Sequence, residues 1–128
     1  MVLLSQSGQV GFDRDLRTTL SRSGVTLLDE SDTHLDLVVN RLQVSDTTIA
    51  RASDNDVTQL ERRLTVSYYL RNPEGKVVFG PRNVSATTVL SNQDGDLSTV
   101  EAYNAQQMEL LGQQLASLLV YDLSYAPL

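Results

Sequence analysis

Gln59-Leu60-Glu61-Arg62-Arg63-Leu64-Thr65-Val66-Ser67-Tyr68-Tyr69-Leu70-Arg71, followed by Asn72-Pro73-Glu74-Gly75 and then Lys76-Val77-Val78-Phe79-Gly80-Pro81, is the stretch on which the fold turns. Leu60, Leu64, Val66, Tyr68 and Leu70 fall on alternate positions, while Glu61, Arg63, Thr65, Ser67 and Arg71 take the intervening ones. That period of two predicts a half-buried strand with one face packed against other elements. Pro73 presets φ for a turn and Gly75 supplies a positive φ, so the reversal into the next strand is specified locally. The opposite face, with Arg63, Thr65, Ser67, Tyr69 and Arg71, is polar and reads as solvated or as a docking surface.

Working towards the N-terminus, Ser53-Asp54-Asn55-Asp56 is a polar turn. Strand character runs back from it through Thr47-Thr48-Ile49-Ala50-Arg51 to Leu42-Gln43-Val44 and Leu35-Asp36-Leu37-Val38-Val39. The alternation changes phase near Asn40-Arg41, as a β-bulge would make it do. Asp29 to Thr33 is a polar break, and Val25-Thr26-Leu27-Leu28 before it looks extended. Phe12, Leu16 and Leu20 recur every fourth residue, which predicts an amphipathic helix over Gly11 to Ser23. Asp13 and Asp15 suit its positive first turn, and Gly24 is placed to end it in the left-handed conformation. Val2-Leu3-Leu4-Ser5 makes a short first strand.

Towards the C-terminus the second arm of the hairpin continues past Pro81, a bulge or edge marker, through Val84, Ala86, Thr88 and Leu90. Asn92-Gln93-Asp94-Gly95 ends it. Ser98 with Glu101 forms a capping box for a final helix, and Met108, Leu111, Leu115 and Leu118 carry its apolar stripe. The predicted order is β-α-β-β-β-α: an α+β fold with two helices packed on one face of a four-stranded mixed sheet, the opening strand-helix-strand unit parallel and the later strands an antiparallel meander.

The 128 residues suit a single domain, long enough to bury about two-thirds of its unfolded surface without staples. There is no cysteine, which removes thiol chemistry and leaves the compartment open. The net charge of −6 disfavours a nucleic-acid binder, which relies on Lys and Arg against phosphate. The charge is uneven. Residues 41–90 hold seven basic residues against five acidic, a net of +2, which leaves three against eleven, a net of −8, in the rest. No apolar run approaches the ~20 residues that span a bilayer as a helix.

Catalytic and metal chemistry find little to build on. His34 is the sole histidine, and a metal site needs convergent nitrogen, sulfur or oxygen ligands. Asp54-Asn55-Asp56 lacks the glycine and the later bidentate glutamate of a calcium loop. No nucleophile-elbow or Gly-rich phosphate loop occurs, so neither an enzyme nor a cofactor is expected. Arg62, Arg63 and Arg71 read as solubilising charges on the hairpin. Arg51, at the tip of a strand pair, has the planar fork that grips phosphate.

Several stretches in this order resemble the LPS-assembly lipoprotein family, LptE. They are Leu16, Leu20, Gly24-Val25 and Leu27-Leu28, then Ile49-Ala50-Arg51, then Gln59 to Val66, then Gly75-Lys76-Val77-Val78 with Gly80-Pro81, and finally Met108 with Leu115. The resemblance covers nearly the whole chain and implies a non-enzymatic assembly factor and plug of the outer-membrane LptD β-barrel, with a capacity to bind lipopolysaccharide. It implies that Arg51 contacts lipopolysaccharide. The tips Ala52, Ser53, Asp54 and Asn72, Pro73, Glu74, Gly75 are the expected barrel contacts. The family's second basic position, ahead of the last helix, is here the acidic and neutral run Asp94 to Thr99. The lipobox cysteine is absent, so a signal and lipid anchor are expected upstream of Met1, holding the protein at the periplasmic side of the outer membrane. The alternative from residues alone is a ligand-binding or scaffolding domain of an unrelated envelope complex.

Overall fold

The computed structural model describes residues 1–28, 35–51, 57–91 and 97–126. The expected breaks at Asp29 to Thr33 and Asn92 to Gly95 lie outside these residues, as does the side chain of Ser98. Among the described residues five strands and two helices follow one another: β1 (Val2–Ser5), α1 (Val10–Arg22), β2 (Asp36–Val39), β3 (Gln43–Arg51), β4 (Val57–Arg71), β5 (Val77–Ser91) and α2 (Leu97–Leu123). β1 lies parallel to β2, and the other pairings between these strands are antiparallel. This is the expected α+β class, with five strands in place of four.

The extra strand has a simple physical origin. β2 and β3 lie end to end along the same edge of β4: Val39 pairs with Tyr68 and Gln43 with Thr65. Four steps on one line face three on the other, so one extra residue is accommodated at Asn40–Leu42, where the sequence pattern changes phase. The Asn40 N–H still donates to the Ser67 carbonyl at 2.9 Å, but the ladder is interrupted enough to divide one bulged line into two strands. Val25-Thr26-Leu27-Leu28, expected to be extended, contributes a single bridge between Leu28 and Val2.

β4 is the centre of the sheet, with the β2–β3 line on one side and β5 on the other. Its alternate residues Leu64, Val66, Tyr68 and Leu70 are buried, as the period of two requires. They meet Phe12, Leu16 and Leu20 of α1 and Leu111, Leu115 and Leu119 of α2 in one core. The stripe of α2 runs through Leu119 and Leu123 rather than Leu118, which stays exposed. Leu111, Leu115, Leu119 and Leu123 keep strict fourth-residue spacing, and Leu118 belongs to the flank of that face. The helix continues to Leu123, two residues past the expected stop at Tyr121.

Local chemistry fixes the ends of α1. Asp13 Oδ1 accepts hydrogen bonds from the Ser5 hydroxyl and, at 2.8 Å, from the Ser7 hydroxyl, which ties the exit of β1 to the positive first turn of the helix. At the other end Gly24 takes φ +93. The Val25 N–H reaches the Leu20 carbonyl at 3.0 Å and the Gly24 N–H the Ser21 carbonyl at 3.2 Å, a Schellman stop.

α2 is fastened to the hairpin by polar groups at both of its ends. Near its C-terminus Asp122 accepts two bonds from Arg82, Nε to Oδ2 at 2.7 Å and Nη2 to Oδ1 at 2.9 Å, and one from the Tyr68 hydroxyl. The Arg82 guanidinium also lies 5.2 Å from the Phe79 ring centroid, within cation–π range. Near its N-terminus the Asn104 side chain bonds both backbone groups of Ser91, at 3.0 and 2.8 Å. Burial, reinforced by Asp122, raises the Tyr68 phenol well above its ordinary value. The Arg82 hydrogen bond holds the Asp122 carboxyl below the usual range.

β5 makes room for this network by bulging at Gly80–Pro81, where the register shifts between Tyr68 and Leu70. Gly80 sits at φ +90, and a Cβ there would lie 2.9 Å from the Tyr68 carbonyl oxygen. Gly80→Ala is therefore expected to cost about 1–3 kcal/mol, read as a lower urea midpoint. Leu115→Ala, which empties a fully buried site, should cost about 2–5 kcal/mol. An unchanged midpoint for either would contradict this packing.

The pH dependence follows from Asp122. Its folded pKa is depressed, so its stabilisation is complete above the unfolded value of about 3.9 and is lost as pH falls through the folded value. Unfolding midpoints should be flat from neutral pH to about pH 5 and fall below about pH 4. Asp122→Asn should lower the neutral plateau and make the acid limb shallower; an acid limb of unchanged steepness in that variant would refute the assignment.

Candidate functional site

Those expected contact residues that the structure describes, Arg51 and Asn72 to Gly75, lie at opposite ends of β4. Arg51 is the last residue of β3 and pairs with Val57 at the start of β4; its backbone position is described, its side chain is not. Ala52, Ser53 and Asp54 lie outside the described residues, as do His34 and the Asp54-Asn55-Asp56 turn. At the other end Asn72 to Gly75 form the turn between β4 and β5. The Asn72 N–H donates to the Lys76 carbonyl at 2.8 Å, the Gly75 N–H donates to the Asn72 carbonyl at 2.9 Å, and the Asn72 Oδ1 accepts from the Lys76 N–H at 2.9 Å. Gly75 has φ +85. Pro73, Glu74 and Gly75 are exposed, held out by a turn whose own bonds are satisfied.

β4 has 15 residues, which at ~3.3 Å each places the two tips about 45–50 Å apart. The structure therefore does not bring Arg51 and the Asn72–Gly75 turn into one site. A small ligand touches one tip or the other, whereas a surrounding protein can touch both.

The face of β3–β4–β5 turned away from the helices joins the tips. Its cross-strand rows are Gln43–Thr65–Ser85, Ser45–Arg63–Thr87 and Thr47–Glu61–Val89, with the Ser67–Asn83 pair beyond the first of them. Hydroxyls and amides dominate it. Ser67 Oγ accepts from Asn40 Nδ2 at 2.8 Å, and Arg71 reaches Asp36 Oδ2 through Nη2 at 2.9 Å and Nε at 3.2 Å.

Arg62, read from the sequence as a solubilising charge, lies on the helix-facing side. It makes a two-point pair with Asp46, 2.8 Å from Nε and 2.9 Å from Nη2, with Nη1 3.8 Å from Met108 Sδ. The hydrogen bond from Arg62 draws the Asp46 carboxyl below its usual range. Among the described residues no group of three or more His, Asp or Glu is arranged to hold a metal ion.

Between the start of α1, the middle of α2 and β3 lies a cleft of about 310 Å³, walled by Phe12, Leu42, Val44, Leu64 and Met108. Sequence reading missed it. Its walls come from four separate elements, and Val44 gives no local sign of standing beside a gap.

No curated protein matches the chain in sequence. Solved structures share its fold. A minor lipoprotein from Acinetobacter baumannii superposes with a TM-score of 0.76 at 17% identity, covering 92% of this chain and 84% of that one. The rare lipoprotein B from Shewanella oneidensis gives 0.77 at 13% identity over 96% and 92%. The solution structure of an uncharacterized lipoprotein B from Nitrosomonas europaea gives 0.70 at 12% identity over 95% and 77%. At these identities the likeness speaks for the fold. The family model for LptE, lipopolysaccharide-assembly, matches residues 5–123, nearly the whole chain. With the two-helix, one-sheet architecture and the polar outer face in place, the chain belongs to the LptE lipopolysaccharide-assembly family.

Proposed function

We propose that this chain is a non-enzymatic plug and assembly factor of the LptD β-barrel, held on the periplasmic side of the outer membrane by a lipid anchor and assisting insertion of lipopolysaccharide into the outer leaflet. The observation that carries this reading is the outer face of β3–β4–β5. It is a broad sheet surface rich in Ser, Thr, Asn and Gln, with few charges, suited to the wet, polar lumen of a large barrel. Membership of a lipopolysaccharide-assembly family supplies the context.

The length of the hairpin adds a geometric reason. The apolar band of an outer-membrane barrel is only ~25 Å tall, so a β4–β5 axis aligned with the barrel carries one tip past each rim. Ala52, Ser53 and Asp54 would then meet one end of the barrel and Asn72 to Gly75 the other. Arg51 belongs to the first of these ends, where a guanidinium has access to lipid A or core phosphates through charge-assisted bonds.

Co-purification with the LptD barrel of the same organism in detergent tests the central statement. A stable one-to-one complex is expected; a well-folded chain that leaves the barrel untouched would transfer it to an unrelated envelope complex as a scaffolding domain. Arg51→Glu should weaken binding to purified lipopolysaccharide by about tenfold, the scale of removing a single charge-assisted hydrogen bond, without lowering thermal stability. Undiminished binding would remove Arg51 from the lipid site.

A further inference from the structure

The sheet changes character where the chain leaves β1. The Gln6 N–H donates to the Val39 carbonyl at 2.8 Å and the Leu42 N–H to the Ser7 carbonyl at 3.1 Å. These are the last rungs between the first strand and the β2–β3 line. Gly8, at φ +80, then turns the chain away into α1. From Gln43 onward β3 pairs with β4 alone among the described residues. Its outward amides and carbonyls face the lane that β1 has just vacated.

Edge strands are ordinarily protected by being short, by carrying Lys or Pro, or by bulging. β3 has nine residues, QVSDTTIAR, with neither Lys nor Pro. Its acid, Asp46, is engaged by Arg62, and its register shifts only at the far end, around Thr48 to Arg51. The other long edge, β5, is interrupted by the bulge at Gly80–Pro81 and lies against α2.

The cleft of about 310 Å³ opens beside this edge. Val44, 53% exposed, is both a β3 residue and a wall of the cleft, so a strand laid along β3 would direct a side chain into it. A lipid tail could occupy the apolar walls but would leave the main-chain groups of β3 unmet; an extended polypeptide satisfies both. The mouth carries the carboxylates of Asp15 and Glu109 against the guanidinium of Arg14, which lies 3.9 Å from Asp15. That balance favours a cationic neighbour on the incoming segment.

We propose that the outer edge of β3 and the adjoining cleft form a strand-docking site for a protein partner. An extended segment adds beside Gln43–Thr48, seats one apolar side chain among Phe12, Leu42, Val44, Leu64 and Met108, and sets a Lys or Arg against Asp15 and Glu109. This is recognition by strand addition, in which main-chain bonds supply affinity and the side-chain pocket supplies selectivity. The site stands apart from the barrel reading, and its test needs no barrel.

The test titrates the isotope-labelled chain with synthetic peptides of the same nine-residue length as β3. They alternate Thr and Val around a central Leu, Phe or Met flanked by Lys, with Glu-flanked and backbone N-methylated versions for comparison. Saturable amide shifts and slowed exchange over residues 43–48 are expected for at least one Lys-flanked peptide. Its Glu-flanked and N-methylated forms should bind about tenfold more weakly or worse.

Val44→Glu and Gly112→Leu should each reduce affinity by about tenfold or more at unchanged thermal stability. A Cβ at Gly112 has room, meeting only Asp15 Oδ2 at 3.7 Å, and Gly112 lines the cleft, so a longer side chain there is added into it. The proposal is overturned if no peptide perturbs β3, if the shifts fall on β5, or if Lys- and Glu-flanked peptides bind equally. It is also overturned if both variants bind as the unaltered chain does, or if β3 becomes protected by self-association without peptide.

Discussion

β4 is shared by everything else in this molecule. It is hydrogen-bonded along one side to the β2–β3 line and along the other to β5, and its alternate side chains from Leu64 to Leu70 are the floor on which both helices rest. A strand paired on both sides cannot slip by one residue without turning its whole apolar set to the opposite face. Because β2, β3 and β5 all take their register from β4, that single alternation sets the depth of the core and the polarity of the far face together.

Two departures from regular geometry let flanking strands follow so long a strand. On one side the extra residue at Asn40–Leu42 divides the β2–β3 line. On the other, Gly80 takes a conformation closed to other residues at ordinary cost, and its missing side chain lets the two backbones approach. The second bulge stands next to Arg82, whose guanidinium joins β5 to Asp122 near the end of α2, while Tyr68 reaches the same carboxylate from β4. One buried hydroxyl, one carboxylate and one guanidinium thus connect sheet, bulge and helix, with each polar group satisfied by another.

The division of surfaces follows from the same arrangement. The helices cover one face and leave the other largely to hydroxyl and amide side chains. An apolar cleft adjoins β3, whose outer edge is unpaired among the described residues. The tips are separated by the length of β4, so contacts made at one end are remote from those made at the other.

Much of this was legible in the residues. The helix of Phe12, Leu16 and Leu20, the stop at Gly24, the phase change at Asn40-Arg41 and the turn at Asn72 to Gly75 are local: each is set by side-chain period or by the backbone freedom of residues close together in the chain. The choice between Leu118 and Leu119 on α2 was not legible, because both fit a helical period and only the position of the sheet decides between them. Nor was the inward position of Arg62, whose partner Asp46 lies across a strand pair. Sequence by itself determined the class, the long two-sided hairpin and the family to which their order points. Tertiary structure alone decided that Arg82 and Tyr68 meet Asp122, 40 and 54 residues away, and that β3, among the described residues, keeps an open edge beside a cleft. Those features depend on which elements become neighbours in space, and no local period of the chain encodes that.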